Sequence, residues 1–253
     1  MFWSLIAIPF LGTVLGSSMV LFLKREMAAG LEKTLLGFAS GVMVAASFWS
    51  LLAPALEWCS GVRAIFVAVS FLGGVFAMLL IDEFTPHLHV GAEKAEGVRA
   101  RLSKTAMLAL AVTIHNIPEG MSVGVVMAGS EGASALSPSA ALAVSIGIAI
   151  QNIPEGAIIS LPMHSAGSGR FRAFFAAAMS GIVEPIGALA MFYLASHISS
   201  ALPHFLSFAA GAMIYVVVEE LIPAASREPH SNHSTIGFAL GFALMMVLDV
   251  VLG

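Results

Sequence analysis

The residues "HNIPEG" at 115–120 return as "QNIPEG" at 151–156, and each copy sets an amide, a proline and a glutamate inside a run that is otherwise apolar. About 20 consecutive apolar residues are what a helix needs to cross the hydrocarbon of a bilayer, since every backbone group must then be satisfied within the segment. Both motifs fall near the middle of such runs, 104–128 and 139–163. Working outward on the same basis gives six more, at 3–23, 34–56, 63–84, 171–196, 203–224 and 235–252. The chain reads as an all-α membrane protein, an eight-helix bundle forming a single transmembrane domain over residues 1–253.

Composition agrees. Of 253 residues, 58% are hydrophobic and 10% charged, against about 45–50% and about 25% in an ordinary soluble domain. The net charge of -4 is small and there is no basic cluster of the kind a nucleic-acid surface requires. Nucleic acid is excluded as a partner, and the lipid bilayer is the expected one. The single cysteine, Cys59, rules out an internal disulfide and any Cys-based zinc knuckle. The first run has no basic leader and no small-residue cleavage site, so it reads as a retained helix.

Basic residues stay on the cytoplasmic side of a membrane. Lys24, Arg25 and Lys33 follow helix 1; Lys94, Arg99, Arg101 and Lys104 follow helix 3; Arg170 and Arg172 follow helix 5; Arg227 follows helix 7. Only Arg63 lies on the other side. The odd-numbered loops are therefore expected in the cytoplasm and both termini outside it.

A second repeat is less visible. "FASGVMVAASFWSLLAPA" (38–55) aligns without gaps on "FAAGAMIYVVVEELIPAA" (208–225), and "SFLGGVFAMLLID" (70–82) on "GFALGFALMMVLD" (237–249). Helices 2 and 7 run in opposite directions, as do helices 3 and 8, so the repeats are inverted. Helices 1–3 and 6–8 would flank helices 4 and 5, an arrangement that secondary transporters use for alternating access around a midplane site.

An ionisable group in mid-bilayer costs on the order of 2.5–3.5 kcal/mol and marks a pathway or a site. His115 and Glu119 are four residues apart and share a helix face, as do Gln151 and Glu155. Pro118 cannot donate to the carbonyl of Ile114, nor Pro154 to that of Ile150, which leaves an acceptor oxygen in each helix. Antiparallel pairing of helices 4 and 5 would bring His115, Asn116, Glu119, Gln151, Asn152 and Glu155 together, and Glu184 precedes Pro185 in mid-helix 6. Carboxylates in an apolar bundle repel unless protonated or held by a cation. One imidazole with carboxylates and amide oxygens suits a divalent transition metal better than magnesium or calcium. Glu219 and Glu220 close helix 7; Asp82, at the end of helix 3, with His87 and His89 just after it, sits at the cytoplasmic mouth; His230 lies in the loop before helix 8. These are exit candidates or simply a solvated run, and Glu57 and Asp249, at the outer ends of helices 2 and 8, are entrance candidates or ordinary interfacial acids. Met43 by itself reads as packing, one of fourteen methionines.

With "EP" at 184–185, "EELIP" at 219–223 and a His-bearing loop after helix 3, the order of motifs resembles the ZIP (Zrt/Irt-like) metal transporters over essentially the whole chain. "FTPHLH" (84–89) and "GFALMMVLD" (241–249) look like the GufA-type bacterial branch. The resemblance implies a binuclear site: His115, Glu119, Gln151 and Glu155 with Met43 at one position, and Asn116, Asn152 and Glu184, sharing Glu119 and Glu155, at the other. It further implies movement of zinc, cadmium, iron or manganese into the cytoplasm across a bacterial inner membrane, with no organic cofactor, and an elevator-like shift of helices 1, 4, 5 and 6 against 2, 3, 7 and 8. A homodimer is also expected. Gln151 and Asn152 stand where other members carry His and Asp, which removes a nitrogen ligand and a charge. A metalloenzyme is the rival reading from the ligands, but no HExxH arrangement is present; a channel is the other, and the inverted repeat favours a carrier.

Overall fold

The computed structural model describes residues 2–22, 27–88, 97–98, 104–130 and 136–252. The described elements assemble into eight long helices: α1 (Phe2–Phe22), α2 (Ala29–Trp58), α3 (Gly61–Phe84), α4 (Lys104–Ser130), α5 (Pro138–Ser165), α6 (Arg170–His197), α7 (Leu202–Ala225) and α8 (His233–Leu252). Seven of these are long and apolar enough to cross a membrane. The eighth, α4, has 27 residues, about 40 Å at 1.5 Å per residue, and carries the polar "HNIPEG" motif. α5 is mostly buried and sits at the centre, whereas α3 and α8 are mostly exposed.

The boundary that differs most from the sequence reading is the start of α2. α2 begins at Ala29, so Lys33, expected in the preceding loop, lies inside the helix and is 9% exposed. Its ammonium donates to the carbonyl oxygens of Arg227 and Pro229 at the α7–α8 turn, and those acceptors allow a helix to take in a charge that would otherwise have to face water.

Prolines shape the helices unequally. Pro54 and Pro223 would collide with the carbonyls of Ser50 and Glu219 in a regular α-helix. Each follows a wider π turn, Ala46–Leu52 in α2 and Val217–Leu221 in α7. α6 breaks at Gly181–Ile182 into Arg170–Ser180 and Val183–His197. Pro185 has no N–H to offer the Gly181 carbonyl, and Glu184 N–H donates to it instead at 3.0 Å. Pro118 and Pro154 sit within continuous helices. α5 starts on the Ser137 side chain, which accepts from Ala140 N–H at 3.0 Å, with Pro138 in the first turn, where its missing N–H costs nothing.

The principal packing pairs are α1 with α5, α2 with α8, α4 with α6 and α3 with α7. In lipid there is no hydrophobic force between helices, so association depends on close van der Waals contact, and small residues supply it. Gly16 of α1 lies against the Ile153 backbone of α5, and Gly120 of α4 against the Glu184 backbone of α6. Gly41 of α2 meets the carbonyl of Phe238 and Gly241 of α8 that of Phe38. Gly211 of α7 meets the carbonyl of Phe71, and Gly74 of α3 that of Phe208.

A side chain at Gly41 would overlap backbone atoms of α8, 2.8 Å from the Phe242 nitrogen. Gly41→Val is expected to lower stability by about 1–3 kcal/mol or more, as overpacking does, while Gly169→Ala, with open space around it and φ of -61°, should change little. Thermal unfolding of the two variants in the same detergent checks the contrast.

Candidate metal centre

The two repeated motifs meet inside the bundle. His115, Asn116, Glu119, Gln151 and Asn152 are all buried, and Glu155 is partly buried. The first contact between the copies is direct: Gln151 Nε2 donates to Glu119 Oε1 at 2.7 Å. Glu184 of α6 joins them as a hub. Its Oε1 accepts from Thr13 Oγ1 of α1 at 2.7 Å and from Asn116 Nδ2 of α4 at 3.3 Å. Its Oε2 accepts from Asn152 Nδ2 of α5 at 2.8 Å. The same two amides reach backbone carbonyls: Asn152 Nδ2 lies 3.4 Å from Pro9 O, and Asn116 Nδ2 lies 3.3 Å from Ser180 O, beside the α6 break. One carboxylate thus ties together four helices.

Because the amide nitrogens turn toward carboxylates and carbonyls, their oxygens point elsewhere. Asn116 Oδ1, Gln151 Oε1, Asn152 Oδ1 and Glu119 Oε2 are buried with no hydrogen-bond donor among the described residues. Buried acceptors are normally satisfied, and four without donors at one place can be satisfied together by a cation. Glu155 and Glu220 line one small cavity with His115, and carboxylates gathered in an apolar bundle repel one another when ionised, which adds to the demand. Among the described residues no trio of His, Cys, Asp and Glu converges to grip a metal alone, and three of the four donorless oxygens here belong to amides.

Glu220, at the π turn of α7, is 4% exposed and lines a cavity of about 30 Å³ with His115 and Glu155. That is room for about one water or a bare ion. Sequence reading left Glu220 at the end of its helix; the wide turn carries it inward, while its neighbour Glu219 stays exposed. Ile158 borders both this cavity and a larger one of about 380 Å³ between the start of α2 and the last turns of α5, lined also by Glu32. Thr13 was not foreseen, and nothing in "GTVLGSS" separates it from Ser17 or Ser18.

Met43 is fully buried in the apolar core of α2. Asp249 accepts from Ser50 Oγ at 2.6 Å, and Glu57 is exposed at the end of α2. Asp82 and His87, for which a solvated run was one of two readings, are buried. Tyr215 Oη donates to Asp82 Oδ2 at 2.9 Å, His87 Nε2 lies 3.1 Å from Asp82 Oδ1, and His87 Nδ1 is 2.7 Å from the Thr85 carbonyl. This cluster fastens the end of α3 to α7. His230 is exposed, and His89 lies outside the described residues.

Comparison with known proteins bears on the whole chain. The profile of the family described as ZIP Zinc transporter matches residues 91–249. Zinc transporter ZIPB of Bordetella bronchiseptica is 38% identical over 253 residues, covering 98% of this chain and 80% of the relative. Zinc transporter GufA of Myxococcus xanthus is 35% identical over 259 residues, covering 98% of each, and human Zinc transporter ZIP11 is 33% identical over 299 residues, covering 86% and 87%. These are transport proteins rather than enzymes. A helical bundle with its polar groups gathered at two repeated motifs, matched along nearly its full length, belongs to the ZIP family of membrane transporters.

Proposed function

We propose that this protein carries divalent transition-metal cations into the cytoplasm of a bacterial cell, zinc first among them and cadmium, iron and manganese as further cargo. The observation that carries the reading is the set of buried, donorless oxygens on Asn116, Glu119, Gln151 and Asn152, lodged between two helices that bear the same motif. The relatives' names supply zinc as the cargo, and the mixed imidazole, carboxylate and amide ligands are compatible with it.

In this reading His115, Glu119, Gln151 and Glu155, with Met43, form one metal position. Asn116, Asn152 and Glu184, sharing Glu119 and Glu155, form the second. Glu57 and Asp249 stand at an outer entrance. Asp82, His87, His89, Glu219, Glu220 and His230 belong to the cytoplasmic side, where Glu220 would receive the ion from His115 and Glu155. Residues 1–253 act as one domain in the inner membrane with both termini outside, by the bias of Lys and Arg.

Alternating access from an inverted repeat is part of the same proposal. The glycine contacts support it: the alignment equates Phe38 with Phe208, Gly41 with Gly211, Phe71 with Phe238 and Gly74 with Gly241. The Gly41–Phe238 contact then has its counterpart in Gly211–Phe71, and Gly241–Phe38 in Gly74–Phe208. The π turns of α2 and α7 also fall at equivalent places.

In proteoliposomes, Glu119→Ala should abolish zinc uptake while the protein still inserts and remains monodisperse; uptake at the wild-type rate would remove the motif from the pathway. Carboxylates and imidazole bind metal only when deprotonated, so protons compete with cargo. Uptake measured at constant free zinc should therefore fall as the pH on the loading side is lowered, and a flat profile through the acid range would contradict carboxylate ligation.

A further inference from the structure

We propose that the cavity formed by the start of α2, the α7–α8 turn and the start of α8 is a binding site for a phosphate group. It has a volume of about 100 Å³ and is lined by Lys33, Arg227, His230, Ser231, Ser234 and Thr235. This inference is independent of the transported ion.

Among the described residues, two cations at this cavity lack a counter-ion. Lys33 is 9% exposed, and its partners are the neutral carbonyls of Arg227 and Pro229. Arg227 Nη2 is shut off from solvent with no hydrogen-bond acceptor among the described residues, and Ser231 Oγ is in the same condition. Among the described residues neither cation forms an ion pair; the ion pair present there is His87 with Asp82. The nearest carboxylate in the turn, Glu228, is exposed and its Oε2 accepts the His230 N–H at 2.9 Å. Charges taken out of water are ordinarily paired, so this enclosure calls for an anion from outside the chain.

The geometry of the donors selects the kind of anion. Lys33, Arg227, Ser231, Ser234 and Thr235 line the space and bring ammonium, guanidinium and hydroxyl donors to it, a set that suits several acceptor oxygens arranged around one centre. Ser234 and Thr235 also belong to the first turn of α8, whose N–H groups have no intrahelical acceptor and favour negative charge; the first helical bond closes from Ile236 N to Asn232 O at 3.0 Å. Arg is the side chain that grips phosphate most specifically. The cavity lies at the ends of spanning helices, so the phosphate can come from a lipid headgroup or from inorganic phosphate in solution.

Two arms distinguish the sources. The purified full chain, delipidated in detergent, is titrated with sodium phosphate against sodium chloride of matched ionic strength while its unfolding temperature is followed. In parallel, retention of phosphatidylglycerol is measured by native mass spectrometry. Arg227→Ala and Lys33→Met are compared with wild type in both. Either the half-saturating phosphate concentration rises at least ten-fold in Arg227→Ala, which assigns free phosphate, or retained lipid falls at least ten-fold, which assigns the headgroup. Phosphate and lipid responses that are the same in wild type and Arg227→Ala, or absent from both, overturn the proposal. Arg227 is only partly buried and lies in a turn, so this variant keeps the test decisive if Lys33→Met does not fold.

Discussion

The arrangement of this bundle depends on holding four glutamates, Glu119, Glu155, Glu184 and Glu220, near one another inside apolar helices. A buried carboxylate without partners is among the most expensive groups a membrane protein can contain. The chain answers with neutral donors rather than with lysine or arginine. Thr13, Asn116 and Asn152 together engage both oxygens of Glu184, and Gln151 engages one oxygen of Glu119. Neutral donors relieve desolvation without cancelling charge, so the centre stays attractive to a cation. An arginine in the same place would have closed the site permanently.

The same hydrogen bonds hold the architecture. Glu184 gathers donors from α1, α4 and α5 onto α6, so the helices that line the centre are also the helices it joins. Such bonds need backbones close enough for short polar side chains to meet, and the glycines on α1 and α4 provide that approach against α5 and α6. Close packing and polar satisfaction are therefore one requirement. A side chain added at Gly120 would displace the backbone of Glu184 itself, and with it the orientation of the hub.

Much of this was legible in the chain. Eight apolar runs, their prolines and the doubled motif suffice for a helical membrane bundle, since length and hydropathy alone decide what spans a bilayer. His115, Asn116, Glu119, Gln151, Asn152 and Glu155 were recognisable as residues that had to meet because one motif recurs at the same offsets in two helices. Thr13 was not, because a hydroxyl in a spanning helix is common and its acceptor lies 171 residues away. Lys33 was read as a loop residue since a lysine near a helix start normally faces water; only the carbonyls of the α7–α8 turn make its burial tolerable. The burial of His87 is not legible for a similar reason: the Asp82 and Tyr215 of its cluster come from two different helices.

By itself the sequence determined the class of protein, the number and order of the helices and the residues that had to be gathered somewhere, because hydropathy and mid-helix charge are local properties with large energies. Tertiary structure decided which amide faces which carboxylate, which oxygens are left without donors, that the π turn of α7 carries Glu220 inward but leaves Glu219 outside, and that two cations share one enclosed corner. Those outcomes depend on contacts between residues far apart in the chain, where a change of a few ångströms in helix approach turns a hydrogen bond into an unsatisfied group.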